Sequence, residues 1–347
     1  MALEEAPPFW WTKPGPLAWL LSPASFVWGW VSARRMALPP KTSVKVPVLC
    51  VGNFIVGGAG KTPTAIALAK AAKRRGLNPG FLSRGYGGRL MGPVLVDPKK
   101  HRAADTGDEP LLLAREAMTV ISADRPSGAE YLVAQGCKLV IMDDGFQNPT
   151  LAKDFSVVVI DAKRGIGNGW TMPAGPMRAP LASQLALAGA IVVIGDAPGA
   201  DRVIRETARR GKPFHLARTA VTAAAKWKNR SFIAYAGIAD PAKFFASLMS
   251  VGANLVGQRP FPDHHGYTQE EARDLLERAK SANAELVTTA KDHVRLAGLR
   301  DDLAALAVAS NILEITLQFD DPRSADLILD AALRNAEARN IREKTFR

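Results

Sequence analysis

The chain has 347 residues, of which 47% are hydrophobic, and its formal net charge is +12 at pH 7. This length and apolar content exclude a disordered or fibrous protein and allow two or three domains with hydrophobic cores. The two cysteines exclude a disulfide framework and indicate a reducing environment, while the positive charge favours anionic partners such as a nucleotide, a nucleic acid or an acidic membrane surface.

The first forty residues form a tryptophan-rich segment, with five of the seven tryptophans among the first thirty residues. A membrane-spanning helix needs roughly 20 uninterrupted apolar residues. Here one lysine and three prolines interrupt the segment between residues 13 and 23. Tryptophan favours the headgroup boundary, and the basic residues that follow would face anionic lipid. We therefore predict that residues 1–40 form an interfacial membrane anchor. The alternative is a hydrophobic arm packed on the chain's own core or on a second subunit.

The next segment predicts a loop that binds a nucleoside triphosphate. An apolar run of strand length at residues 48–51 is followed by a glycine-rich turn and by a helical pattern at residues 64–75. The turn matches the motif x-G-G-x-G-K-T with Gly57, Gly58, Ala59, Gly60, Lys61 and Thr62. Glycines allow successive N–H groups to face one phosphate chain, and the helix N-terminus adds a favourable field. Lys61 would contact the β- and γ-phosphates, and the Thr62 hydroxyl would ligate Mg²⁺. The alternative is an ordinary glycine-rich turn with a solvated lysine.

Two further loops contain candidate site residues. A second glycine-rich turn, S-R-G-Y-G-G at residues 83–88, presents Ser83, Arg84 and Tyr86 as candidates for ligand contact, or else is a solvent-exposed loop. The segment T-G-D-E-P places Asp108 at a predicted helix N-terminus, where carboxylates are also favoured simply as caps.

Residues 138–144, K-L-V-I-M-D-D, have the pattern of a buried strand that ends in two carboxylates. If this strand runs parallel to the strand of the phosphate loop, then Asp143 or Asp144 lies at the same sheet edge as Thr62. That arrangement is the Walker B element of nucleotide-binding proteins, in which the aspartate holds Mg²⁺. The sequence leaves open which of the two is the ligand.

Alternating strand and helix patterns predict an α/β fold, namely a P-loop NTPase-like, mostly parallel sheet with helices on both faces. A seam of short and basic residues at 220–228 separates the predicted P-loop domain, residues 41–225, from a smaller C-terminal α/β lobe, residues 226–347. In the lobe we predict strands at residues 232–236, 285–289 and 313–319, and helices at residues 269–281 and from residue 324.

Several motifs of modest individual specificity follow one another along the chain. They are V-G-N-F-I-V-G-G-A-G-K-T-P, L-S-R-G-Y-G-G, T-G-D-E-P, M-D-D-G-F-Q-N, P-A-G-P-M-R-A-P, A-G-I-A-D-P, F-P-D-H-H-G-Y-T and T-T-A-K-D-H-V-R-L. In this order they resemble the motifs of the tetraacyldisaccharide 4′-kinase family, the lipid A kinases. The resemblance extends from the tryptophan-rich start to about Leu296.

The resemblance implies ATP- and Mg²⁺-dependent phosphorylation of the 4′-hydroxyl of a tetraacylated glucosamine disaccharide 1-phosphate, giving lipid IVA. It implies a peripheral or monotopic protein at the cytoplasmic face of the inner membrane, where the predicted anchor would serve. It also implies that Asp108 accepts the hydroxyl proton and that a histidine of D-H-H, for which we favour His264 over His265, holds and polarises it. Gln147, in M-D-D-G-F-Q-N, joins the second glycine-rich turn as a candidate for substrate contact.

The chain departs from the family pattern at two positions. Ala179 stands where the family commonly has a glutamate, so any metal or ribose role of that glutamate is not carried over. Asn148 stands where family members often have a histidine. Neither departure changes the phosphate loop, so we expect an active kinase.

Two other classes of protein share parts of this pattern. Membrane-recruited ATPase or GTPase switches use the same loop motif but usually have a second lysine at the position of Val56, and its absence argues against that class. Nucleic-acid binding rests on the net charge alone. The basic residues are scattered and match no nucleic-acid-binding motif, so we expect no nucleic-acid partner.

Overall fold

The computed structural model describes residues 6–345, which contain thirteen strands and thirteen α-helices. The strands are β1 (Val48–Asn53), β2 (Pro79–Ser83), β3 (Val94–Leu95), β4 (Met118–Ile121), β5 (Leu139–Asp143), β6 (Phe155–Asp161), β7 (Ala190–Ile194), β8 (Phe214–Val221), β9 (Ser231–Ala236), β10 (Asn254–Pro260), β11 (Glu285–Thr289), β12 (Ser310–Leu313) and β13 (Ile315–Phe319). The helices are α1 (Pro16–Leu20), α2 (Ser22–Met36), α3 (Lys61–Arg74), α4 (Ala103–Thr106), α5 (Asp108–Ala114), α6 (Arg125–Ala134), α7 (Leu181–Leu187), α8 (Asp201–Arg209), α9 (Pro241–Ser250), α10 (Gln269–Ser281), α11 (Ala290–Leu296), α12 (Asp301–Ala309) and α13 (Ser324–Thr345).

The larger sheet has nine strands in the order β13-β8-β7-β6-β1-β5-β2-β4-β3. All neighbouring pairs are parallel except the two at the edges, β13 with β8 and β3 with β4. Alternate residues of β1 enter different cores: Val48 and Cys50 pack on one face, Leu49 and Val51 on the other. Because a strand buried on both faces needs helices on both sides, this burial confirms the predicted α/β fold with a mostly parallel sheet.

The smaller sheet has four parallel strands in the order β10-β9-β11-β12. Side chains of β9 again alternate between two cores. Phe232 packs with residues of α9, whereas Ile233 and Tyr235 pack with residues of α10 and α12. The sheet is therefore a separate α/β layer with its own hydrophobic cores, as predicted for the C-terminal lobe.

The C-terminal end of the chain returns to the larger sheet. The run predicted as one strand at residues 313–319 is two strands in different sheets, since β12 pairs with β11 and β13 pairs with β8. The change occurs at Glu314, whose carbonyl accepts a hydrogen bond from the Thr222 amide at 2.9 Å. Helix α13 then packs against α3. The smaller lobe thus spans residues 231–313 and is inserted between β8 and β13, whereas the predicted boundary gave it residues 226–347. A continuous apolar run does not reveal that a strand changes sheet.

The tryptophan-rich segment forms α1 and α2 and packs with one side on the larger domain. Trp10 is buried, its indole N–H donates to the Pro173 carbonyl at 2.9 Å, and the Ser25 hydroxyl donates to the Thr171 carbonyl at 2.7 Å. The opposite side exposes a set of large apolar side chains, each 46–77% exposed. These are Leu17, Trp19, Leu20, Phe26, Val27, Trp28, Trp30 and Val31. Across residues 6–345, we find no helix with the length and apolarity needed to cross a bilayer.

The packing of α13 gives a stability prediction. Leu329 is fully buried between α13 and the larger sheet, so Leu329→Ala should lower the free energy of unfolding by about 2–5 kcal/mol. Leu327 on the same helix is half exposed, and Leu327→Ala should change the free energy by less than about 0.5 kcal/mol. Urea unfolding followed by circular dichroism measures both. Equal effects of the two substitutions would mean that α13 does not complete this core.

Candidate active site

The phosphate loop connects β1 to α3 at the carboxyl edge of the larger sheet. Gly57 and Gly60 have φ angles of +100° and +87°, which favour glycine. A Cβ atom at Gly60 would also lie 2.4 Å from Cδ1 of Ile194, so no other residue fits without a shift. Helix α3 begins at Lys61, three residues earlier than predicted, and both Lys61 and Thr62 are buried at its N-terminus. The loop therefore has the geometry of an anion-binding helix N-terminus.

The segment before α7 holds the loop from the other side. The Val56 amide donates to the Pro176 carbonyl at 2.9 Å, and Ile55 forms an antiparallel bridge with Met177. Arg178 donates from Nε to the Ile55 carbonyl at 3.0 Å. The motif P-A-G-P-M-R-A-P is thus a support for the phosphate loop.

Asp143 ends β5, the strand next to β1, and lies beside Thr62. The Thr62 hydroxyl donates to Oδ2 of Asp143 at 3.4 Å. Oδ1 of Asp143 is buried and has no hydrogen-bond partner among the described residues. Burial raises the pKa of Asp143 above its ordinary value, and the nearby charge of Glu109 adds to this. A buried carboxylate oxygen without a partner is what a divalent cation would neutralise.

Asp144 has a different environment, although it is the next residue. Its φ angle of +53° turns it away from the strand direction. Arg178 binds it through Nη1 at 2.9 Å and Nη2 at 3.2 Å, and Nζ of Lys61 lies 3.5 Å from Oδ2. Burial acts to raise the pKa of Asp144, but the charges of Lys61 and Arg178 outweigh it and lower the pKa. Of the two carboxylates that the sequence left open, Asp143 is the one next to Thr62.

Asp108 is buried at the N-terminus of α5, where Oδ1 accepts the amide N–H of Glu109 at 2.9 Å. Oδ2 accepts from Nε of Arg295 at 2.9 Å and from Nη2 of the same side chain, and it lies 3.4 Å from Nδ1 of His264. Burial acts to raise the pKa of Asp108. The hydrogen bond from His264 and the charges of Arg295 and Lys291 outweigh it and hold the pKa below its ordinary value.

The two histidines of D-H-H have different partners. His264 has a φ angle of +60° and lies next to Asp108, whose hydrogen bond raises the pKa of the imidazole. His265 stacks on Phe261 with ring centroids 4.7 Å apart, and its Nε2 lies 2.9 Å from Oε2 of Glu271. Only the first histidine of the motif therefore faces Asp108.

Sequence reasoning missed Lys291 and Arg295, two site residues from α11 of the smaller lobe. Nζ of Lys291 lies 2.5 Å from Oε1 of Glu109, and Arg295 binds Asp108 as described. The charge of Lys291 lowers the pKa of Glu109 against the opposing effect of burial. Positions i and i+4 share one face of a helix. The spacing of the two cations in A-K-D-H-V-R-L could therefore have indicated that both contact the same part of the larger domain. Arg178 was missed as well, because P-A-G-P-M-R-A-P has no pattern typical of a nucleotide site.

The candidate substrate residues differ in their availability. Tyr86 is mostly exposed, and its ring lies 5.8 Å from that of His264, while Arg84 is also exposed. Ser83 is buried at the end of β2. Gln147 donates to the Asn53 carbonyl at 2.8 Å and to Oε1 of Gln184 at 3.0 Å. Arg84 and Tyr86 are thus open to a ligand, whereas Gln147 braces the end of β1.

The two departures from the family pattern are accommodated without strain. Ala179 is fully buried in the core of the larger domain. Asn148 accepts hydrogen bonds from the amide and hydroxyl of Thr150, at 2.8 Å and 2.7 Å, and so closes the turn after Asp144.

Comparisons with known proteins match one family over most of the chain. The family model described as LpxK, tetraacyldisaccharide-1-P 4′-kinase, matches residues 17–334. Proteins named tetraacyldisaccharide 4′-kinase from Rhizobium rhizogenes and Sinorhizobium fredii are 51% and 52% identical, covering 98% of this chain and 96% and 98% of their own lengths. The crystal structure of LpxK from Aquifex aeolicus in complex with ATP has a TM-score of 0.70, covering 91% of this chain and 99% of that one. Its sequence identity is 24%, so it supports the fold alone.

The contact between Asp108 and His264 can be tested by titration. The Asp108 carboxylate raises the pKa of His264, so Asp108→Asn should return this pKa towards its ordinary value. NMR of the imidazole carbons measures the change. His215, on β8 and away from this site, has a pKa lowered by burial and should titrate as in the wild type. If the His264 titration is unmoved, the two side chains are not in contact in solution.

Proposed function

This chain belongs to the tetraacyldisaccharide-1-P 4′-kinase family, and we propose that its phosphate loop, Asp143 and the pair of Asp108 and His264 perform that family's reaction. It is a kinase of lipid A biosynthesis, which phosphorylates the 4′-hydroxyl of tetraacyldisaccharide 1-phosphate with ATP and gives lipid IVA. The observation that supports the assignment of residues best is that Glu109 interacts electrostatically with both Lys61 and Asp143, while the adjacent Asp108 faces His264. The residues that we propose to bind the nucleotide and the residue that we propose to accept the proton therefore lie at one edge of the sheet.

ATP would bind with its phosphates on the N-terminus of α3. The backbone N–H groups of residues 57–62 and the Lys61 ammonium provide positive charge where the β- and γ-phosphates need it. In this structure Lys61 pairs with Asp144, and Arg178 shares that carboxylate. Arg178 therefore keeps Asp144 compensated when Lys61 turns to the nucleotide.

Mg²⁺ would be held by Thr62 and Asp143. The buried, unpartnered Oδ1 of Asp143 and the adjacent Thr62 hydroxyl are oxygen donors of the kind Mg²⁺ prefers, and phosphate and water would complete its shell. When bound, the ion neutralises charge on the phosphate oxygens during transfer. Asp144 is the poorer candidate because Arg178 and Lys61 already occupy its oxygens.

Asp108 would orient the 4′-hydroxyl and accept its proton, with His264 beside it. A depressed pKa makes Asp108 a weak base, but phosphoryl transfer through a loose transition state relies more on orientation than on early proton removal. The contact with Asp108 raises the pKa of His264, and this histidine would hold and polarise the carboxylate. The exposed Tyr86, whose ring lies 5.8 Å from that of His264, and the exposed Arg84 two residues before it would contact the disaccharide.

The exposed apolar face of α1 and α2 would dock the enzyme on its lipid substrate. Eight large apolar side chains of this segment are 46–77% exposed, which exceeds what a soluble surface usually presents, and Arg34 and Arg35 at the end of α2 would meet anionic headgroups. The other face packs on the larger domain, so we propose that the segment would lie on the membrane surface rather than span the membrane. This supports a peripheral protein at the cytoplasmic face of the inner membrane, where a tetraacylated substrate would be found.

Lys61→Ala tests the phosphate loop. With purified protein, ATP, Mg²⁺ and tetraacyldisaccharide 1-phosphate, wild type should form a product heavier by one phosphate. The substitution should lower kcat by about 10²-fold or more, because the charge on the transferred phosphate is left unbalanced. Lys70→Ala, on the exposed side of the same helix, is the matched control and should keep wild-type turnover. Near wild-type kcat for Lys61→Ala at saturating ATP would refute the loop assignment.

The docking face gives a second prediction. Replacing Phe26 and Trp30 together by glutamate should lower the fraction bound to vesicles containing anionic lipid by about tenfold or more, since two large apolar groups no longer enter the interface. Val308→Glu, at an exposed apolar position of the smaller lobe, should leave vesicle binding unchanged. Both variants should bind ATP as wild type does. Undiminished vesicle binding by the double variant would rule out this face as the anchor.

A further inference from the structure

Arg295 is a buried cation that reaches from the smaller lobe to Asp108. Its Nε and Nη2 both donate to Oδ2 of Asp108, and Nη2 lies 3.4 Å from Nδ1 of His264. The side chains of Arg295 and Asp108 are 8% and 4% exposed. Pairs this deeply buried are costly unless their geometry satisfies both groups, so the position of one fixes the position of the other.

The guanidinium is itself immobilised within the smaller lobe. Nη1 donates to Oδ1 of Asp292 at 2.9 Å and to the Gly237 carbonyl at 2.5 Å. Asp292 is fully buried and also accepts the Gly237 amide at 2.9 Å and the Tyr267 hydroxyl at 2.8 Å. This network leaves the guanidinium one orientation, with its remaining donors aimed at Asp108.

We infer that Arg295 is a positioning residue of the kinase reaction, which keeps Asp108 ionised and directs one of its oxygens to the acceptor hydroxyl. The inference rests on the proposed role of Asp108 as the proton acceptor. Donors from Arg295 and His264 occupy Oδ2, whereas among residues 6–345 Oδ1 accepts only the Glu109 amide. A carboxylate oxygen has two acceptor positions, so Oδ1 retains one for the substrate.

The charged residues around Asp108 explain why Arg295 would keep this carboxylate ionised. Arg295 and Lys291 of α11 act on Asp108, and Asp292 of the same helix pairs with Arg295. In the loop after β10, His264 contacts Asp108 and has Asp263 beside it. On α5, Glu109 interacts with Asp108 and with Lys61 of α3. Lys291 is paired with Glu109 and Asp292 is paired with Arg295. Arg295 is the permanently charged group that touches Asp108 directly. Without it, one of the charges that oppose the effect of burial would be lost, and the pKa of Asp108 would rise.

The test compares the pH dependence of kcat for Arg295→Gln and wild type. Asp108 must be ionised to accept a proton, so a raised pKa removes activity as the pH falls. We expect the ratio of variant to wild-type kcat to be about 10⁻² at pH 6 and to recover towards about 10⁻¹ at pH 9, with the KM for ATP unchanged. Arg295→Lys retains the charge and should show a ratio that varies little with pH. Arg273→Gln, which removes an exposed ion pair with Asp302, should match wild type throughout.

The outcomes separate this inference from the proposed function. A ratio for Arg295→Gln that is constant with pH would mean that Arg295 acts only on the fold, and the inference would be wrong. If Asp108→Asn is inactive at every pH, the role of Asp108 stands whatever Arg295 does. Near wild-type turnover by Asp108→Asn would refute the role of Asp108 itself.

A measurement on the wild-type protein decides the case in which Arg295→Gln does not fold. The ¹³C carboxyl resonance of Asp108, assigned by its loss in Asp108→Asn, should remain that of an ionised carboxylate down to the pH at which the protein unfolds. A titration with its midpoint at or above the ordinary value of about 3.9 for an aspartate would overturn the inference.

Discussion

Buried charges have to be paired, and in this protein the pairing joins the two sheets. Asp108 and Glu109 begin α5 of the larger domain, and their partners Arg295 and Lys291 lie on α11 of the smaller lobe. Neither Asp108 nor Arg295 could be buried alone without a large desolvation cost, whereas Glu109 and Lys291 are partly exposed. The smaller lobe is therefore part of the proposed active site, because it supplies the countercharge that favours the ionised forms of two carboxylates beside the phosphate loop.

The phosphate loop and the Walker B strand were predictable because each combines a motif with a long apolar run. Strands that expose one face to solvent were not predictable in this way. In β8 exposed and buried residues alternate at its start, and β10 has one bulge and exposed residues along most of its length. Their short, half-polar patterns resemble those of loops. We predicted that the helix after the phosphate loop begins at residue 64, whereas it begins at Lys61. Gly60 is the N-cap of this helix, but in the sequence it reads as one more glycine of the loop motif.

The site itself was only partly readable from the sequence. Asp108 and His264 were identified through a family resemblance, and the fold brings them together. The contact of Asp108 with Arg295 joins residues 187 positions apart, so no local pattern indicates it. What the sequence does contain is the spacing of Lys291 and Arg295 on one helical face. That spacing indicates that the two cations lie on the same face of the helix. It does not indicate which carboxylates they pair with, because this depends on how the two sheets are connected.

The insertion of the smaller lobe between β8 and β13 has a consequence for the order in which the protein can be made. During synthesis, residues 231–313 leave the ribosome before the edge strand of the larger sheet and before α13, which covers part of the core that includes α3. Domains tend to fold as units in the order of their synthesis. Here the lobe can complete its own four strands while the nucleotide-binding half still lacks its last strand and one of its covering helices. The larger domain is thus completed after the lobe that is inserted into it.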